Sequence, residues 1–97
     1  MFLKKNLNKG DSYAVHTGAY AGEILIYIER NNDTLGFLSI PTMKNREIPL
    51  LVFENAKEKK IIKFVEKLPS LVAKVSTEQY KTNINSLDKV DNTITLE

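Results

Sequence analysis

Polar and apolar residues alternate from Ser12 to Thr17, with Tyr13 and Val15 on one side and Ser12, Ala14 and His16 on the other. That two-residue period is the signature of a half-buried strand. Gly18 and Gly22 then bracket a short turn, where glycine supplies backbone angles that side chains resist. Ile24–Ile28 is apolar at every position, which predicts a central strand covered on both faces. Asn31-Asn32-Asp33 is a turn cluster. The next strand runs from Thr34 to Ile40, where Pro41 stops it because proline cannot donate to a ladder. Together these segments read as a three-stranded meander.

After a polar loop at Thr42–Asn45, Arg46–Phe53 reads as a short strand interrupted by Pro49, which demotes it to an edge or irregular position. Asn55-Ala56-Lys57-Glu58 has the form of a capping box, with Asn55 as the cap and Glu58 reaching back. A helix is therefore predicted over 56–68, with Ile61, Ile62, Val65 and Leu68 as its buried stripe and Pro69 as its stop. Leu71–Val75 is a further strand candidate, enough to close or extend the sheet. Ser76-Thr77-Glu78-Gln79 has the same capping form and opens one or two helical turns carrying Tyr80. Residues 84–97 form a polar extension, either flexible or an edge strand at Thr93–Leu96, and Ile84, Leu87 and Val90 are too few to force a helix. Phe2, Phe37, Phe53 and Phe64 are core candidates, and Tyr13 and Tyr27 are core or rim residues.

The predicted fold class is α+β: one domain over 1–83, built as a small, mainly antiparallel open β-barrel of about five strands. One amphipathic helix precedes its last strand. Ninety-seven residues suit one domain. The chain has no cysteine, which excludes disulfides, thiolate metal sites and cysteine nucleophiles. Neither a secretory leader nor a membrane-length apolar run is present in this sequence, so the expected setting is cytoplasmic, away from membranes.

Charge narrows the function classes. The net charge is +2, and apart from Arg30 and Arg46 every basic side chain but His16 is lysine. Lysine is a point charge without the planar fork that reads a base edge, so any contact with RNA or DNA would be non-specific and salt-sensitive. On the predicted helix, Lys59, Lys60, Lys63 and Lys67 share the side opposite the apolar stripe. They form either a basic ridge for a phosphate backbone or an ordinary solvated face. Lys44 and Arg46, with Lys9 as a further candidate, fall in loops that a small barrel brings to one end. Tyr20, in the glycine turn, is the ring best placed to stack on a base. His16 is the only histidine, and without a second ligand it makes a poor zinc site. The carboxylates show no paired or calcium-loop spacing, and no glycine loop precedes a helix. No metal, no cofactor and no catalytic constellation is expected.

The order Gly10-Asp11, Val15, Gly18, Tyr20, Gly22 resembles the KOW motif of ribosomal proteins and transcription-elongation factors. Thr17 keeps the small polar residue before the first turn glycine, while Ala21 and Leu25 stand where that family often has a basic residue and a further glycine. The resemblance, confined to residues 10–28, implies an SH3-like barrel whose loops contact RNA or a protein, with Gly18, Tyr20 and Gly22 shaping the exposed turn. The leading expectation is a small non-catalytic module contacting a nucleic-acid backbone. The alternative is a protein-interaction or self-assembly module that pairs through a sheet edge at Thr34–Ile40 or Arg46–Phe53.

Overall fold

The computed structural model describes residues 7–86. The expectations for Phe2, Leu87, Val90 and the Thr93–Leu96 strand lie outside the described residues. Five strands and two helices follow one another as β1 (Asp11–Val15), β2 (Ile24–Asn31), β3 (Thr34–Ile40), β4 (Asn45–Pro49), α1 (Leu50–Glu58), β5 (Ile62–Lys67) and α2 (Ser70–Ile84). The strands form one antiparallel sheet in the order β4-β3-β2-β1-β5. The fold is α+β, as the sequence predicts, with β2 central and its apolar residues buried on both faces.

On one face, Tyr13, Val15, Leu25, Tyr27, Leu35, Phe37 and Ile48 pack against Phe53 and Ala56 of α1. Phe37 and Phe53 stack at 5.5 Å, and Tyr13 meets the Phe53 ring edge-on at 5.1 Å. On the other face, Ile26, Ile28 and Leu38 pack against Tyr80 of α2. The β2–β3 hairpin turns through Asn32, which takes the left-handed conformation (φ 57°) that asparagine tolerates better than most residues.

The helices depart from the sequence reading in position and number. The helix expected over 56–68 lies instead at Leu50–Glu58, and Ile62–Lys67 is a strand. Pro49 ends the edge strand β4 and also opens this helix, its φ of −58° leading into the first turn with no amide to lose. Asn55 is therefore mid-helix and caps nothing. The helix stops in a Schellman arrangement: the Ile61 amide donates to the Ala56 carbonyl (2.8 Å) and the Lys60 amide to the Lys57 carbonyl (3.0 Å). Lys60 occupies the left-handed position (φ 64°) that glycine usually fills, so the sequence carries no visible stop signal. Ile61 and Ile62 are buried, but Val65 is 52% exposed and the expected stripe dissolves.

Pro69 likewise starts α2 instead of ending a helix, and Leu71–Val75, expected as a strand, is its first half. The buried residues of α2 are Ala73, Ser76 and Tyr80, whereas Leu71, Val72 and Val75 face outward. Small residues let the helix lie close to the sheet, and the apolar residues that resemble a strand are on the wrong side to mark the core. Asn45 fixes the far end, donating to the Tyr80 carbonyl (3.0 Å) and accepting from the Asn83 amide group (2.8 Å). Thr34–Ile40 is not a sheet edge as expected, since β3 lies between β2 and β4; the edges are β4 and β5.

Tyr80 lies directly on Gly36, and a Cβ added there would collide with the Tyr80 hydroxyl. Gly36→Ala is expected to destabilise the protein by roughly 1–3 kcal/mol, the range for overpacking a filled core, measured by denaturant unfolding. Burial, more than the nearby carboxylates, pushes the phenols of Tyr13 and Tyr80 up from 10.0 to about 12. The folded state therefore keeps protons that the unfolded chain releases above pH 10. Their contribution is complete below pH 10 and is lost as pH rises toward 12. A pH series of denaturation midpoints should fall across that window, and the same fall in Tyr80→Phe/Tyr13→Phe would contradict this cause.

Candidate functional site

The loop between β1 and β2 is built on its glycines. Gly18 and Gly22 sit at φ 95° and 92°, in the left-handed region. A Cβ at Gly22 would meet no atom within 4 Å, so backbone conformation rather than space demands glycine there. Four backbone hydrogen bonds brace the turn: the Ala21 amide donates to the Gly18 carbonyl (3.2 Å), Glu23 to Tyr20 (3.1 Å), Gly22 to Val15 (2.8 Å) and Val15 to Glu23 (3.0 Å).

Bracing brings Glu23 and Tyr20 onto Arg46 of β4. Arg46 grips Glu23 with both arms, Nε to Oε1 at 3.2 Å and Nη2 to Oε2 at 3.0 Å. The Ser39 hydroxyl donates to Oε1 at 2.6 Å. The Arg46 guanidinium lies 3.9 Å from the centroid of the Tyr20 ring. The Arg46 and Glu23 side chains are 9% and 13% exposed. Arg46 and Tyr20, each expected to face a ligand, are thus engaged with one another and with Glu23. The group ties the glycine turn to the edge strand β4.

The lysines expected on one helical ridge fall on three elements. Lys59 caps the C-terminal end of α1, Lys60 follows it in the turn, and Lys63 and Lys67 belong to β5. Lys44 is exposed in the loop before β4. Lys60 and Lys63 come together in a depression of ≈ 400 Å³ lined also by His16, Lys57, Ile62 and Phe64. None of these six lining residues carries a carboxylate. Lys67 lines a second depression, ≈ 470 Å³, with Lys9, Lys74 and Lys81 and a single acid, Glu78. Lys44 and Lys59 line neither.

Phe64, expected in the core, is 51% exposed. It stands at the wall of the first depression, its ring edge-on to Tyr13 at 5.5 Å. His16, Lys57 and Phe64 therefore join the candidate site unannounced by the sequence. Their only signal is the strand 62–67, which places Phe64 and Lys63 on an edge beside the end of β1. Among the described residues, no group of three or more histidine, aspartate or glutamate side chains is placed to hold a metal ion, and no helix is long and apolar enough to cross a membrane.

Removing one partner of the Arg46–Glu23 pair leaves a largely buried charge without its counter-ion. Arg46→Met is expected to destabilise the fold by about 3 kcal/mol in denaturant unfolding, and Arg46→Met/Glu23→Leu to recover most of that loss. A double variant no more stable than the single would contradict a buried, mutually compensating pair. No family model, curated protein or solved structure matches this chain.

Proposed function

We propose that this protein is a small non-catalytic binding module that holds a nucleic-acid backbone, RNA or DNA, against its lysine-lined surface. The observation that carries the reading is the depression of His16, Lys57, Lys60 and Lys63, cationic in character, free of carboxylates along its lining and walled by an exposed Phe64. Lysine ammonium groups neutralise phosphates and release condensed counterions, which supplies affinity without sequence preference. An exposed ring beside them adds a stacking surface for an unpaired base. Arg46 is engaged by Glu23 through both arms, and Arg30 donates through Nε to the Asn32 carbonyl with its Nη2 3.8 Å from Asp33.

Two features support an SH3-like, KOW-like scaffold for this module. The strand order places β1 between β2 and β5, with one helix joining β4 to β5. The residues that resemble the KOW motif span β1, the glycine turn and the start of β2, and Gly10, Gly18 and Gly22 all take positive φ. A cytoplasmic setting goes with that reading.

The test is fluorescence anisotropy with a labelled, generic single-stranded oligonucleotide at about 50 mM salt. Binding is expected there and is expected to weaken steeply as salt rises, with a log–log slope of about −0.7 for each phosphate neutralised. Lys57→Ala/Lys60→Ala should weaken binding and flatten that slope by about one to two phosphates. No binding near 50 mM salt, or binding indifferent to both lysines, would overturn the proposal.

A further inference from the structure

Among the described residues the sheet ends at β5, which is hydrogen-bonded to β1 along one side only. Every β5 residue after Ile62 is exposed, including Phe64 at 51% and Val65 at 52%. The strand carries neither proline nor glycine, whereas the opposite edge, β4, ends in Pro49.

The register with β1 has an irregularity that matters. Tyr13 lies opposite Phe64, but Ser12 lies opposite Glu66, so Val65 is an extra residue in the ladder. Lys63 lies opposite Ala14 and Glu66 opposite Ser12. Ala14 and Ser12 are two residues apart on β1 and share a face, so Lys63 and Glu66 share one as well, although they are three apart in sequence. Ile62, Phe64 and Lys67, opposite Val15, Tyr13 and Asp11, belong to the other face.

We infer that β5 is a self-recognition edge: two copies of the chain pair their β5 strands antiparallel about a two-fold axis between Phe64 and Val65. In that register Lys63 faces the partner's Glu66, Phe64 faces the partner's Val65, and Ile62 faces the partner's Lys67. The symmetry repeats each contact. Opposite charges and aromatic–β-branched pairs across strands both stabilise a ladder. Sliding one copy by a residue sets Lys63 against the partner's Val65 in one direction and against the partner's Lys67 in the other. Only the self-complementary register pairs both lysines at position 63 with carboxylates.

Lysine on an exposed edge ordinarily deters pairing with another chain. Here the deterrent acts against foreign strands, because a second copy of β5 brings the matching acid. Six residues on each side make an interface well below the roughly 800 Å² per partner of a standard stable complex. The dimer is therefore weak and concentration-dependent. It shares Lys63 and Phe64 with the depression proposed to hold nucleic acid and leaves Lys57 and Lys60 outside the paired strands, so association is measured without nucleic acid and the two readings fail separately.

Mass measured by sedimentation across a concentration series up to about 1 mM tests the inference. The wild-type mass is expected to rise toward that of a dimer. Lys63→Glu and Glu66→Lys, each of which sets like charges opposite one another twice, should weaken association about tenfold. Lys63→Glu/Glu66→Lys, which restores the pairing with its signs exchanged, should return it to the wild-type level. These positions are exposed, and an unchanged denaturation midpoint confirms that each variant is folded. The natural chain has no cysteine, so Lys63→Cys/Glu66→Cys should cross-link two copies on oxidation while either single variant does so far more slowly. A wild-type mass that stays monomeric throughout, or single and double charge variants that associate alike, would overturn the register and the dimer with it.

Discussion

Strand β2 buries every side chain from Leu25 to Ile28, alternately on opposite faces of the sheet. A sheet with an apolar centre on both sides needs a cover on each, and this single constraint organises the molecule. Phe53 and Ala56 of α1 provide one cover, and Tyr80 with the small residues Ala73 and Ser76 provides the other. The two covers differ in kind. Over the first face, an aromatic cluster of Tyr13, Phe37 and Phe53 fills the space with edge-on and stacked rings. On the second, the helix comes so close that Gly36 is the residue type that fits beneath Tyr80.

Surface chemistry follows from what that constraint consumes. With most apolar residues of β1 to β4, and Phe53 and Ala56 of α1, turned inward, the sheet runs out of cover at its last strand, and β5 is left exposed beyond Ile62. Lys57 and Lys60 at the end of α1 and Lys63 on β5 then meet at one margin of the sheet, where a short helix reverses into an edge strand. The concentration of positive charge is a product of topology, since the net charge of the chain is only +2. At the other margin, charge is internalised instead. Arg46 is held by Glu23 and covered by Tyr20, which fastens the glycine turn to β4.

Much of the sheet was legible in the sequence, because its signals are local. The alternation around Tyr13 and Val15, the unbroken apolar run Ile24–Ile28, the asparagine turn and Pro41 mark β1 to β3, although β2 runs three residues beyond Ile28 to Asn31. The second half departs from its sequence pattern where decisive contacts are non-local. A lysine fills a left-handed helix stop that glycine usually marks, so the sequence shows no end for α1 and β5 reads as part of a helix. In α2 the buried positions are alanine, serine and one tyrosine, while valines and leucine face solvent, which inverts the usual reading of an amphipathic helix. The site shared that fate. Lys60 and Lys63 were readable as basic positions, but their convergence with His16, Lys57 and Phe64 depends on where α1 ends, and the burial of Arg46 depends on a carboxylate twenty-three residues away.

Native-state hydrogen exchange on a dilute sample tests the two-sided burial of β2 most directly. The account predicts that the paired amides of β2, between Leu25 and Ile28, are the slowest in the protein and open only with global unfolding, while amides on the outer side of β5 exchange orders of magnitude faster. Exchange of β2 amides at the rate of those in β5 would contradict it, because a strand sealed on both faces cannot open without losing both cores.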